Sequence, residues 1–126
     1  MLDNKRAFVR FDIPLEVKFK TPKNTNEYAV GVTRNFSRKG FCFELQEFDI
    51  EPNKIVVFKV RHPQADVFVT VLGNIVWKKL VNTKFMVGVK LREMHSEAKC
   101  DILHYCYNTW VNKMQAENRN AKVAYN

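Results

Sequence analysis

Two clusters of residues in this chain have the types and spacing to do chemistry. The first is Arg6-Ala7-Phe8-Val9-Arg10, two guanidinium groups four residues apart with Lys5 beside them. A guanidinium forks onto phosphate oxygens or onto the O6/N7 edge of guanine, and it also stacks on a base face. Two of them on one arm can grip a phosphate and a planar base together. The second cluster is Asn35-Phe36-Ser37-Arg38-Lys39-Gly40. Asn and Ser suit a turn between strands. The Asn amide can pair with a base edge, and the Ser hydroxyl can bond a phosphate or a base. Gly40 brings no Cβ, so backbone there can approach a ligand or take positive φ. Arg34, Arg38 and Lys39 surround the turn with positive charge. Each cluster alone has a plain alternative: a solvated basic terminus, and an ordinary Asn-Ser turn closed by glycine. Their joint use depends on elements that bring them together.

The spacing of apolar residues predicts those elements. Phe11, Ile13, Leu15, Val17 and Phe19 alternate with polar residues, the period of a half-buried strand, and Pro14 marks its edge or start. Tyr28–Thr33 and Gly40–Leu45 read as the second and third strands and flank the second cluster. Turns at Glu51-Pro52-Asn53 and Asn82-Thr83 separate further strands over Ile55–Val60, Asp66–Lys79 and Phe85–Leu91. Gly73 lies inside the fifth, where a glycine fits a bend or bulge that lets a short sheet close. The sum is mainly β: six strands with short turns, fitting a small closed antiparallel barrel. From Ser96, a candidate N-cap, the period becomes helical. Ala98, Ile102, Cys106, Trp110 and Met114 form one row, and Leu103, Tyr107 and Val111 the next, a stripe that must be buried on the barrel or a second subunit. This predicts a barrel with an Arg-bearing arm over 1–95, a helix over 96–116 and a disordered tail over 117–126.

Composition bounds the function. A chain of 126 residues with 46% hydrophobic content carries one domain and a real core. The net charge of +8 favours an anionic partner. Three cysteines without framework spacing, and no apolar run at the N-terminus, point to a reducing, cytoplasmic setting. No stretch approaches the length of a membrane span. Cys100 and His104 share a helix face, but Cys106 points elsewhere, so a zinc site is not expected. The carboxylates are scattered and no nucleophile–base arrangement is visible, so no enzyme activity, metal or cofactor is expected.

In this order and context the two clusters resemble the signature of the PilZ domain family, bacterial receptors for cyclic di-GMP. Its pattern is Arg-x-x-x-Arg before the first barrel strand, then Asp/Asn-x-Ser-x-x-Gly between the second and third. The matches here are Arg6 and Arg10, then Asn35, Ser37 and Gly40. Gly73-Asn74-Ile75-Val76-Trp77 and Val87-Gly88-Val89 add to the likeness, which covers roughly residues 5–95. The resemblance implies a six-stranded PilZ-type barrel with a C-terminal helix. It implies that Arg6 and Arg10 contact guanine edges and phosphates. Asn35 and Ser37 would bond a guanine and its sugar-phosphate, and Gly40 would leave room for the ligand. Trp77 would pack beside a base or fill the barrel core. Arg38 would add charge. Lys5, before the first Arg, is in the family associated with a stacked ligand dimer. Asn35 replaces the more frequent Asp, removing one acceptor for guanine N–H groups. The implied protein is a receptor, monomer or homodimer, that relays cyclic di-GMP to an effector protein controlling motility, exopolysaccharide or virulence. A basic barrel binding single-stranded nucleic acid stays open, although charge clustered at two motifs disfavours it. So does a PilZ-like interaction module without ligand, although both motifs are intact.

Overall fold

In a computed structural model the structure describes residues 9–21 and 26–125, with side chains through 118. Lys5 and Arg6 lie outside the described residues. Six strands run in chain order: β1 (Glu16–Lys20), β2 (Tyr28–Phe36), β3 (Gly40–Leu45), β4 (Ile55–His62), β5 (Val67–Val81) and β6 (Lys84–Met94). One helix, α1 (Ser96–Tyr125), follows. Every strand pair is antiparallel, and the order β1-β2-β3-β6-β5-β4 closes into a barrel through the β1–β4 pair. Closure removes free sheet edges, which short antiparallel strands would otherwise expose.

Phenylalanine fills the barrel. Phe19, Phe43 and Phe58 are fully buried and meet edge to face, with ring centroids 5.5–5.7 Å apart. Phe36 stacks on Phe41 at 5.8 Å. Each such ring contributes about 2–3 kcal/mol relative to exposure. Turns that need a left-handed residue use Asn53 (φ 72°), Asp66 (φ 55°) and Asn82 (φ 58°), types whose short polar side chains tolerate it.

The expected alternation from Phe11 to Phe19 holds for burial but not for pairing. Ile13, Leu15, Val17 and Phe19 are buried, yet the β1 ladder starts at Glu16 and Phe11 forms an isolated bridge with Phe36. Pro14 cannot donate, so a continuous ladder would break there. Thr33 takes its place. Its hydroxyl accepts from Leu15 N at 2.8 Å and donates to Ile13 O at 2.7 Å, while Thr33 N donates to Leu15 O at 2.9 Å.

Three register shifts shape the sheet. In β2 the pairing steps from Thr33↔Phe43 to Asn35↔Cys42, so Arg34 is an extra residue. In β5, Ile75↔Val89 is followed by Trp77↔Gly88, which makes Val76 extra. At Gly73 the extra residue is Arg92 on β6, so the glycine expected at a bulge does sit opposite one. A Cβ on Gly73 would run into Val89 and crowd Phe58.

The helix departs from expectation at both ends. His95 O accepts the first helical bond, from Lys99 N at 2.9 Å, so His95 caps and Ser96 lies within the first turn. The helix does not stop at 116 with a disordered tail but continues to Tyr125. Residues 117–125 contain neither Gly nor Pro and include Glu, Arg, Lys and Ala, which favour helix. Ile102 and Cys106 are fully buried against the barrel core, with Leu103 and Tyr105 packed partly on it. The stripe then outruns the barrel: Tyr107, Trp110 and Met114 are exposed. Among the described residues, no helix is long and apolar enough to cross a membrane.

Candidate functional site

The β2–β3 turn is built by Ser37. Its backbone N donates to Gly40 O at 2.8 Å, and its hydroxyl donates to the same oxygen at 3.1 Å. The hydroxyl also accepts from Lys39 N and Gly40 N, each at 3.3 Å. Ser37 is therefore buried as the lock of a tight hairpin. Asn35 lies not in the turn but in β2, one step past the Arg34 bulge. Gly40 is needed for a reason the sequence did not suggest. Its φ is not positive, and a Cβ there would collide with the Val89 carbonyl oxygen on β6. The close approach of β3 to β6 demands the glycine, whether or not a ligand is bound.

Two bulges turn the site residues outward. Strict alternation after Gly31 and Thr33 would send Asn35 into the core; the Arg34 bulge sends Phe36 there instead and leaves Asn35 half-buried on the outer face. Likewise, alternation from Gly73 and Ile75 would bury Trp77. The Val76 bulge reverses the phase, and Trp77 is 41% exposed. The core-filling role for Trp77 is thus excluded. Its indole lies across Gly88, where any Cβ would strike the ring.

The registers place these residues in one row across four neighbouring strands. Asn35 on β2 pairs with Cys42 on β3, Cys42 with Gly88 on β6, and Gly88 with Trp77 on β5. Arg10 from the arm, Lys39 and Lys90 stand beside this row. Together with Ser37, Gly40 and Val76 they line a cavity of about 230 Å³. The row is a floor with a polar end at Asn35, an aromatic end at Trp77 and cations beside it. Cys42, buried in that floor, is missing from the sequence expectation. Burial pushes its thiol pKa up, against the opposing pull of the Arg34 and Arg10 guanidinium groups, so the floor is neutral near pH 7. Lys90 is also missing from it; adjacent to Val87-Gly88-Val89, it becomes visible only once the strand register is known.

Arg10, Asn35, Ser37, Gly40 and Trp77 of the expected set therefore come together, while Arg6 and Lys5 lie outside the described residues. Arg38 does not join them. It faces a separate cavity with Val9, Phe11, Leu103 and Tyr107, because the Ser37 hairpin directs Arg38 and Lys39 to opposite sides. Arg34, close enough to act on Cys42, stands 3.8 Å from Glu44 and does not line the cavity. Among the described residues, no group of three or more His, Cys, Asp or Glu could hold a metal ion.

A family profile of the PilZ domain matches residues 4–108. No curated protein matches the chain by sequence. Among solved structures, the barrel is similar to the inhibitor of motility MotI/DgrA of Bacillus subtilis, with TM-score 0.72 and 18% identity over 86% of this chain and 52% of that one. It is similar to the PilZ domain of YcgR from Escherichia coli, solved with c-di-GMP, with TM-score 0.70 and 11% identity over 90% of this chain and 98% of that domain. It is also similar to MrkH of K. pneumonia in its c-di-GMP complex, with TM-score 0.74 and 7% identity over 88% and 54%. The chain spans about half the length of MotI and MrkH. With the profile covering the barrel, both motifs and the start of α1, the chain belongs to the PilZ domain family.

Proposed function

We propose that this protein is a receptor for cyclic di-GMP that acts by binding rather than catalysis and relays ligand occupancy to a protein partner. The observation that carries this reading is the single cavity joining Arg10, Asn35, Ser37, Gly40 and Trp77 across strands far apart in sequence. About 230 Å³ accommodates a base with part of its sugar-phosphate. Trp77 offers that base a flat aromatic wall, and Asn35 offers an amide for its edge. Arg10, Lys39 and Lys90 supply positive charge for the two phosphates. Arg6 and Lys5, four and five residues before Arg10, add cations on the same arm. The YcgR domain and MrkH were each solved with c-di-GMP on the same fold, which supports this ligand. Proteins of this fold include an inhibitor of motility and a transcription regulatory factor. The output is therefore set by the partner and not by the barrel, and motility, exopolysaccharide and virulence control all remain compatible.

Calorimetric titration with cyclic di-GMP tests the proposal. Arg10→Ala removes a charge-assisted contact and should cost about 1.5–3 kcal/mol, roughly ten- to hundredfold in affinity. Ser37→Ala should weaken binding as well, by loosening the hairpin that holds Lys39 and Gly40. Unchanged tight binding in both variants sinks the site assignment.

A further inference from the structure

Phe11 stands where three features meet. Its neighbour Arg10 lines the ligand cavity, whereas Phe11 itself lines the separate cavity beside α1. Successive side chains of extended backbone point to opposite sides, so an Arg10 turned to the ligand obliges Phe11 to face the helix. Phe11 N donates to Phe36 O and Phe36 N to Phe11 O, both at 2.9 Å. Phe36 lies between Asn35 and Ser37, so this bridge ties the arm to the second motif. On its other side the Phe11 ring meets Tyr107 and Trp110 edge-on, each at 6.4 Å. Tyr107 and Trp110 also touch each other, at 6.1 Å.

These contacts occur where the helix leaves the barrel. Among the described residues the buried positions of α1 end at Cys106, and Trp110 and Met114 are each 42% exposed. A helical segment without tertiary contacts is marginal in water. Beyond Cys106 the Phe11 ring ties α1 to the arm through Tyr107 and Trp110.

We infer that α1 is the element that reads the ligand site, with Phe11 as the positioning residue that couples Arg10 to the packing of Tyr107 and Trp110. This rests on the cyclic di-GMP site proposed above. A phosphate that holds the Arg10 guanidinium restrains the backbone at 10–11. Phe11, pinned to Phe36, is then held firmly against the Tyr107–Trp110 pair. The exposed face around Trp110 and Met114 becomes ordered in the ligand-bound receptor and looser in the free one.

The chain has two tryptophans, so the emission of the unsubstituted chain minus that of Trp110→Phe isolates Trp110 and leaves the ligand cavity unaltered. Cyclic di-GMP is titrated into both to saturation, judged by calorimetry, while emission is recorded. The expected result is a shift of Trp110 emission that follows ligand occupancy. Adding Phe11→Ala should abolish the shift. Coupling is reciprocal, so Phe11→Ala and Tyr107→Ala, neither in the ligand cavity, should each weaken binding by about fivefold or more. If Phe11→Ala disturbs folding by circular dichroism, Phe11→Leu, which keeps an apolar side chain but loses the ring, carries the same expectation. Saturated binding with Trp110 emission unmoved overturns the inference and leaves the receptor proposal standing. So do folded Phe11 and Tyr107 variants that bind like the unsubstituted chain. Absence of any binding heat in the unsubstituted chain removes both.

Discussion

Gly40 shows how one residue type can satisfy two different demands. The motif reading assigns its missing Cβ to the ligand, whereas the structure assigns it to the Val89 carbonyl on the neighbouring strand. Gly40→Ala should therefore destabilise the protein without any ligand present, by about 1–3 kcal/mol for overpacking at a rigid backbone contact. Chemical denaturation of the ligand-free variant checks this; an unchanged midpoint returns the glycine to a purely ligand-binding role. Ser37 is similar. Its hydroxyl is engaged within the hairpin, so the residue shapes the site by holding Lys39 and Gly40 in place. Residue types were legible at these positions because turn chemistry is local. The clash partner of Gly40 was not, because Val89 lies 49 residues away on a strand whose register no local pattern reveals.

At the scale of elements, the six strands and the helix follow from periodicity, but the departures from periodicity build the site. The bulges at Arg34 and Val76 reverse the in–out phase, putting Asn35 and Trp77 on the outer face. A one-residue slip exchanges the two faces of a strand, which simple alternation cannot foresee. The lead-in to β1 carries one element-level prediction. Thr33 stands in for the ladder that Pro14 interrupts, so Thr33→Val leaves Leu15 N and Ile13 O without their partner. The expected loss is about 1–3 kcal/mol of unfolding free energy. The attachment of α1 gives a second. Burial pushes the Cys106 thiol up to about 11, from an ordinary 9.0. The folded protein keeps a proton that the unfolded chain releases, so the linked stability is complete below pH 9 and is lost as pH rises from 9 to 11. The loss should approach about 2 kcal/mol. Denaturation of wild type and Cys106→Ala across that range should show a difference that narrows with rising pH.

For the whole molecule, the net charge of +8 sets the competition between a compact dinucleotide and a long polyanion. The cations lining the cavity are few, and several others stand by carboxylates: Arg34 and Lys84 near Glu44, Arg61 with Asp66, Lys78 with Glu51. A ligand with two phosphates should show a shallow dependence of affinity on salt, with a log–log slope no steeper than about −2. A single-stranded oligonucleotide should bind more weakly, with a steeper slope set by the number of phosphates neutralised. Competition between cyclic di-GMP and such an oligonucleotide, at two ionic strengths, measures both. Displacement of the dinucleotide by the oligonucleotide at moderate salt would favour the nucleic-acid reading.

By itself the sequence determined the barrel class, the helix after it and the identities of Arg10, Asn35, Ser37 and Gly40 as a set. Strand period, turn residues and motif order are properties of short stretches of chain. Tertiary structure decided the rest: the Asn35–Cys42–Gly88–Trp77 row, the recruitment of Lys90, the removal of Arg38 to another face, and the contact of Phe11 with α1. Each depends on strand register or on where the helix meets the barrel. Barrel closure and core packing settle these, joining residues that no local pattern links.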